Sequence, residues 1–154
     1  MRNFKIIFLF FFTSYCSAEY LENLIIKRIV DGDTIHVFYK EEVYKIRLTE
    51  IDAPERDQPY GNDSKQYLKQ LLKEGRVDIH IFGTDRFGRR LARLYWNGMD
   101  INRELVSEGY AWVYDRYVSD ESFYENQSKA RKLKKGLWRG SSPIKPWEWR
   151  KAKR

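Results

Sequence analysis

Apolar and polar residues alternate with a period of two in several short stretches between residues 24 and 96, and recur at three-to-four spacing in three others. Residues 24–30 are rich in β-branched side chains and stop at Asp31-Gly32-Asp33, a turn signal. Residues 34–38 resume the alternation, with Ile35 and Val37 on one face and His36 on the other. Residues 39–42 read as a hairpin turn. The return strand, 43–48, sets Val43, Lys45 and Arg47 against Tyr44, Ile46 and Leu48. Val77, Ile79 and Ile81 alternate with Asp78, His80 and Phe82 in a fourth strand, and residues 91–96 form a fifth, closed by Asn97-Gly98.

Three stretches carry helical spacing. The first comes after a polar loop over residues 56–61; Asn62 or Asp63 can cap it, Tyr67, Leu68, Leu71 and Leu72 form its stripe, and Gly75 ends it. Asp100 caps a short second helix through Glu108, with Gly109 as its stop. A third spans about 120–134, with Phe123, Ala130 and Leu133 inward and Gly136 at its end. Residues 139–154 read as an irregular basic tail with Trp147 and Trp149 among Pro143 and Pro146. Five short strands with a helix after the third predict an α+β, mainly β, fold: a five-stranded Greek-key barrel of the oligonucleotide-binding type with three α-helices.

The amino terminus stands apart from this pattern. Arg2 and Lys5 precede an apolar run over 6–12 too short to span a bilayer, and Cys16-Ser-Ala18 is a small-residue cleavage site. Residues 1–18 are therefore expected to be a signal peptide and 19–154 a single exported domain, secreted or periplasmic, without stable membrane association. Cys16 is the chain's one cysteine, so the remaining domain has no thiol, zinc–thiolate or disulfide chemistry. The formal charge of +7 falls to +5 without the two leader cations, which favours polyanionic partners without naming one.

Chemistry concentrates in residues 47–55. Arg47, Asp52 and Glu55 lie within nine residues, and Asp31 and Asp33 lie upstream. Neighbouring strand ends can bring Asp33 and Asp52 to one barrel rim, where two carboxylates, a backbone carbonyl and waters would hold Ca²⁺ or Mg²⁺. Taken alone, Asp31-Gly-Asp33 reads as a turn and Glu55 as a solvated loop acid; the second acidic cluster favours the cation site. A carboxylate beside a cation can also serve as a general base. Arg47 and Arg89, the latter in a glycine-flanked loop, can stabilise charge on phosphoryl oxygens. His36 and His80 read as strand-surface residues, and Trp112, Trp138, Trp147 and Trp149 as packing.

Three motifs, Val-Asp31-Gly-Asp33-Thr34, Arg47-x-x-x-x-Asp52-Ala-Pro-Glu55 and Asp85-Arg-Phe-Gly-Arg89, together resemble the staphylococcal nuclease family in order and spacing. The resemblance runs from about residue 24 to 138. It implies Ca²⁺-dependent cleavage of DNA and RNA leaving 3′-phosphates, with Mg²⁺ the less suitable ion. It implies that Asp33, Asp52 and the backbone carbonyl of Ala53 ligate the metal, with Asp31 acting through water. Glu55 would prepare the attacking water and Arg47 and Arg89 bind phosphate. Tyr117, with Tyr114 and Arg86, would contact a substrate that is single-stranded or frayed, in a monomeric enzyme. Phe87 departs from the family's tyrosine, and the loop after Glu55 is short. The alternative is a barrel that binds nucleic acid or protein without cutting.

Overall fold

The computed structural model describes residues 19–154; the expected signal peptide lies outside the described residues. Strands β1 (Glu19–Ile29), β2 (Thr34–Tyr39) and β3 (Glu42–Leu48) form an antiparallel meander. A two-residue strand β4 (Ile51–Asp52) and helix α1 (Gly61–Leu71) lead into β5 (Arg76–Thr84) and β6 (Arg90–Trp96). β5 pairs with β1, β6 with β5, and β6 closes on β3 in parallel, so the five long strands form a barrel. The short β7 (Met99–Asp100) extends β6, and β8 (Trp112–Val113) pairs with β4.

The alternation predicts the interior correctly. Ile35, Val37, Ile46, Leu48, Val77, Ile79 and Leu94 are fully buried in the barrel. Each such side chain contributes about 1.5–3 kcal/mol on leaving water. Helix α2 (Ile101–Ser107) adds Ile101, Leu105 and Val106, and α3 (Ser122–Lys132) adds Phe123 to the same core. Asp100 caps α2 as expected, accepting from the Arg103 N–H at 3.0 Å. Asn102 ties that helix to the barrel: its Oδ1 accepts from Leu94 N at 3.1 Å, and its Nδ2 donates to Thr49 O at 3.0 Å. Asn102→Ala leaves both backbone groups without these partners in a fully buried interface. It is expected to cost about 2–4 kcal/mol in urea or thermal unfolding.

Several boundaries differ from the sequence expectation. β1 starts at Glu19 rather than residue 24, because Asn23 adopts a left-handed φ of 55° and its N–H bonds Asp78, carrying the pairing past a bulge. Neither Asn62 nor Asp63 caps α1: the helix begins at Gly61 behind a left-handed Tyr60. A Cβ at Gly61 would sit 1.8 Å from the Glu55 carbonyl, so the short loop after Glu55 folds tightly on itself. α3 ends at Lys132, leaving Leu133 at its carboxyl end 68 % exposed rather than inward.

The tail is not irregular. A 3₁₀ turn (Gly136–Arg139) precedes a fourth helix, α4 (Pro146–Ala152). Proline at its first turn supplies a helical φ without wasting a donor. The described residues thus hold four α-helices, not three.

Candidate active site

The site is assembled at the end of the barrel where β2 begins and β3 ends. Leu48 N donates to the Asp33 carbonyl at 2.8 Å, extending the β2–β3 ladder so that Asp33 lies beside the end of β3. The β4–β8 pair places Asp52 opposite Trp112. Gly32 is needed for this closeness, because a Cβ there would meet the Ala53 and Ser64 Cβ atoms at 2.7 Å. Glu55 follows on a clamped backbone: its N–H donates to Gln58 Oε1 at 3.0 Å and its carbonyl accepts from Gln58 N at 2.9 Å.

Arg47 lies at the centre, its side chain only 10 % exposed. Its Nη2 lies 2.8 Å from Asp52 Oδ1 and 3.2 Å from Asp33 Oδ2, while Nη1 donates to the Ile51 carbonyl at 2.9 Å and to that of Leu48. Four of its five N–H groups thus face protein acceptors. Asp33 Oδ2 also accepts the Ala53 N–H at 2.7 Å, and Thr34 Oγ1 bonds Asp33 Oδ1 at 3.1 Å. Asp31 accepts from the Asp33 N–H at 3.1 Å.

Too many buried carboxylates share this charge. Burial, and then the charge of Asp33, push the Asp31 carboxyl up to about 6. Asp52 is also shifted upward, burial outweighing the Arg150 hydrogen bond and the attraction of both guanidiniums. Burial would lower the Arg47 pKa, but Asp33, Asp52 and Asp31 hold it above its ordinary value. Surplus buried negative charge on hard oxygen donors is what a divalent cation relieves. No group of three His, Cys, Asp or Glu side chains in a metal-binding arrangement occurs among the described residues. The hard oxygen donors at hand are the two carboxylates of Asp33 and Asp52, so a Ca²⁺-type ion here would need carbonyl and water oxygens to complete its shell.

A cavity of about 790 Å³ opens over these residues. Across it stands the loop after β5. Asp85 staples that loop, accepting from Phe87 N at 2.9 Å and Arg89 N at 3.0 Å, and it orients Arg89 through Nε at 2.8 Å. Burial favours a neutral Asp85, yet these donors hold its carboxyl below the usual range. Phe87 is 65 % exposed, with the Arg86 guanidinium 4.7 Å and that of Arg89 5.6 Å from its ring centre. Tyr114 and Tyr117 meet edge-to-face at 5.4 Å, and both line the cavity. All the residues expected from the sequence to bind metal or substrate or to act in catalysis, including Asp31 and Arg86, line this one cavity.

Sequence reasoning missed the last wall. Arg150 of α4 bonds Asp52 through Nη2 at 2.7 Å and Glu55 through Nη1 at 2.5 Å. Trp147 tilts against Tyr114 at 5.3 Å and lines the cavity with Lys151 and Arg154, so it is not merely tail packing. The signal was present: residues 147, 150, 151 and 154 come after a proline at helical spacing.

The chain is similar in sequence to proteins named as nucleases. The profile of the family described as staphylococcal nuclease homologue matches residues 45–140. An Escherichia coli protein named as an uncharacterized endonuclease is 42 % identical over 127 residues, 82 % of this chain and 83 % of that one. A Haemophilus influenzae protein of the same name is 37 % identical over 148 residues, 96 % of this chain and 83 % of its own. The staphylococcal-like nuclease CAN1 of Arabidopsis thaliana is 34 % identical over 145 residues, 92 % of this chain but 44 % of that protein.

Proposed function

Because the chain belongs to the staphylococcal nuclease homologue family, we propose that it is an exported, monomeric, Ca²⁺-dependent nuclease that hydrolyses DNA and RNA internally and leaves 3′-phosphate ends. The observation that carries this reading is the convergence of Asp33 and Asp52 on one Arg47 nitrogen, with Glu55 and Arg89 lining the same cavity. A binding-only barrel has no need of a carboxylate such as Glu55 beside two paired aspartates.

Asp33, Asp52 and the Ala53 carbonyl are assigned to hold the ion, with Asp31 acting through water. When bound, the ion supplies Lewis-acid stabilisation of the phosphoryl oxygens. Glu55 takes a proton from a water whose oxygen forms a bond to phosphorus as the bond to the 5′-oxygen breaks. The leaving oxygen takes up a proton and the phosphate stays on the 3′ side. Arg89 offers its outer edge to the phosphate, while Arg47 holds the two aspartates together and reaches a phosphate only by releasing one of them. Tyr114, Tyr117 and Phe87 offer aromatic faces for unpaired bases, which suits single-stranded or frayed substrates. No helix among the described residues is long and apolar enough to cross a membrane.

The decisive assay incubates the purified protein with labelled DNA and RNA in Ca²⁺, Mg²⁺ or chelator and identifies the product ends. Cleavage of both polymers in Ca²⁺, 3′-phosphate products and no cleavage in chelator are expected. Undiminished cleavage in chelator would overturn the metal assignment, and 5′-phosphate products the direction of attack.

A further inference from the structure

The cavity wall made by α4 lies beyond residues 45–140, the stretch matched by the family profile. Trp147, Arg150, Lys151 and Arg154, spaced i, i+3, i+4 and i+7, all line the cavity that holds Asp52, Glu55 and Arg89. This face is docked rather than trailing. Pro146 is buried, Gln58 Nε2 donates to the Ile144 carbonyl at 2.6 Å, and Trp149 Nε1 donates to Asp57 at 3.2 Å. Trp147 packs edge-on against Trp112 at 6.1 Å and leans on Tyr114. The anchors join α4 to the loop that carries Glu55, so the two share one frame.

Within that frame the guanidiniums differ in availability. Arg47 is buried and commits four N–H groups to the protein. The Arg150 side chain is 38 % exposed, and its partners are the carboxylates of Asp52 and Glu55. A phosphodiester presents two anionic oxygens in the same planar, bidentate geometry as a carboxylate, so it can replace one at little geometric cost. Once Asp52 is engaged elsewhere, the Arg150 Nη2 edge faces the cavity without that partner, while Nη1 stays on Glu55.

We propose that Arg150 is a further phosphate-binding residue of the site, and that α4 is a structural wall of the nucleic-acid cleft. The inference takes the identity of the anion from the nuclease reading. Lys151 and Arg154 continue the positive face along the strand's path, and Trp147 extends the aromatic surface begun by Tyr117 and Tyr114.

Salt dependence of binding tests this, because it counts neutralised phosphates and is blind to a fraction of unfolded protein. Binding of a fluorescent, hydrolysis-resistant phosphorothioate single strand would be measured in Ca²⁺ across a salt series, for the wild type and for Arg150→Ala, Arg150→Gln and Arg150→Lys. Log affinity against log salt should lose about 0.7 of slope in the alanine and glutamine variants. Their affinity should fall about ten- to a hundredfold at low salt. Lysine should restore the slope. Circular dichroism would confirm folding, with Arg150→Gln retained if Arg150→Ala does not fold. Wild-type slope in the neutral variants, or tighter binding, overturns the inference. Cleavage of an unmodified strand by the wild type is scored separately. A wild type that cleaves while the variants keep its slope refutes only the role of Arg150. A slope loss without any wild-type cleavage refutes only the nuclease reading.

Discussion

Glu55→Gln is expected to lower kcat on denatured DNA by about 10²–10⁴-fold, the contribution of a positioned general base. That range corresponds to about 3–5.5 kcal/mol of barrier. KM and the melting temperature should stay close to wild type, because glutamine keeps the shape and one acceptor oxygen for Arg150 while losing basicity. The Glu55 backbone is held at both ends by Gln58, so the variant should not shift the loop. Its assigned role also lies outside the metal pair, so Ca²⁺ affinity measured calorimetrically without substrate should change little. A variant that kept near-wild-type turnover would show that some other group prepares the water.

The second large effect is on stability. Glu50 is 1 % exposed and does not line the cavity. One of its oxygens pairs with Arg93, and the other accepts from Ser119 N at 3.0 Å, Ser119 Oγ at 2.8 Å and Asp120 N at 3.2 Å. It thereby fixes residues 114–120, the loop carrying Tyr114 and Tyr117, to the barrel. Glu50→Ala leaves Arg93 with the longer ion pairs to Asp100 at 3.6 Å and Asp120 at 3.4 Å and its place over the Phe123 ring. A loss of about 3 kcal/mol is expected at pH 7, the lower end for breaking a buried pair, because those two acids compensate in part.

The pH dependence has a definite sign. Burial would raise the Glu50 pKa, but the Arg93 hydrogen bond and the Ser119 donors bring it below its ordinary 4.5. A depressed carboxylate stabilises fully above its unfolded value, and that stabilisation disappears as pH falls through the folded one. The gap between wild type and Glu50→Ala in urea denaturation should therefore be constant from pH 7 to 5 and narrow below about pH 4.5. A gap that widened in acid would mean that Glu50 is buried as the neutral acid.

Much of this architecture was legible locally. β2, β3, β5 and β6 showed because period two is imposed by the backbone over a few residues, and burial follows it in most of β5 but not at the end of β3, where Ile46, Arg47 and Leu48 are all buried. Asp33, Asp52, Glu55, Arg47 and Arg89, each of which has an ordinary reading alone, stood out as a set because they fall in three motifs in order, and the structure gathers them at one cavity. Less legible were features set by packing rather than pattern. α1 has no side-chain cap because Gly61 must press against the Glu55 carbonyl, and Asn23 bends β1 only because Asp78 lies opposite. Glu50 carries no local sequence signal, and nothing near it in the chain announces Ser119 or Arg93.

By itself, the sequence determined the strand faces, the core and the chemical inventory: hard oxygen donors, guanidiniums and no thiol in the domain. Only the tertiary structure decided how that inventory is shared. Barrel closure made Arg47 the clasp of two aspartates, an internal commitment invisible in a strand that merely alternates. It also brought Arg150 against Glu55, 95 residues earlier in the chain, and against Asp52, 98 residues earlier. Contacts at that separation have no local periodicity to announce them; they arise from how the barrel, its loops and the last helix pack together.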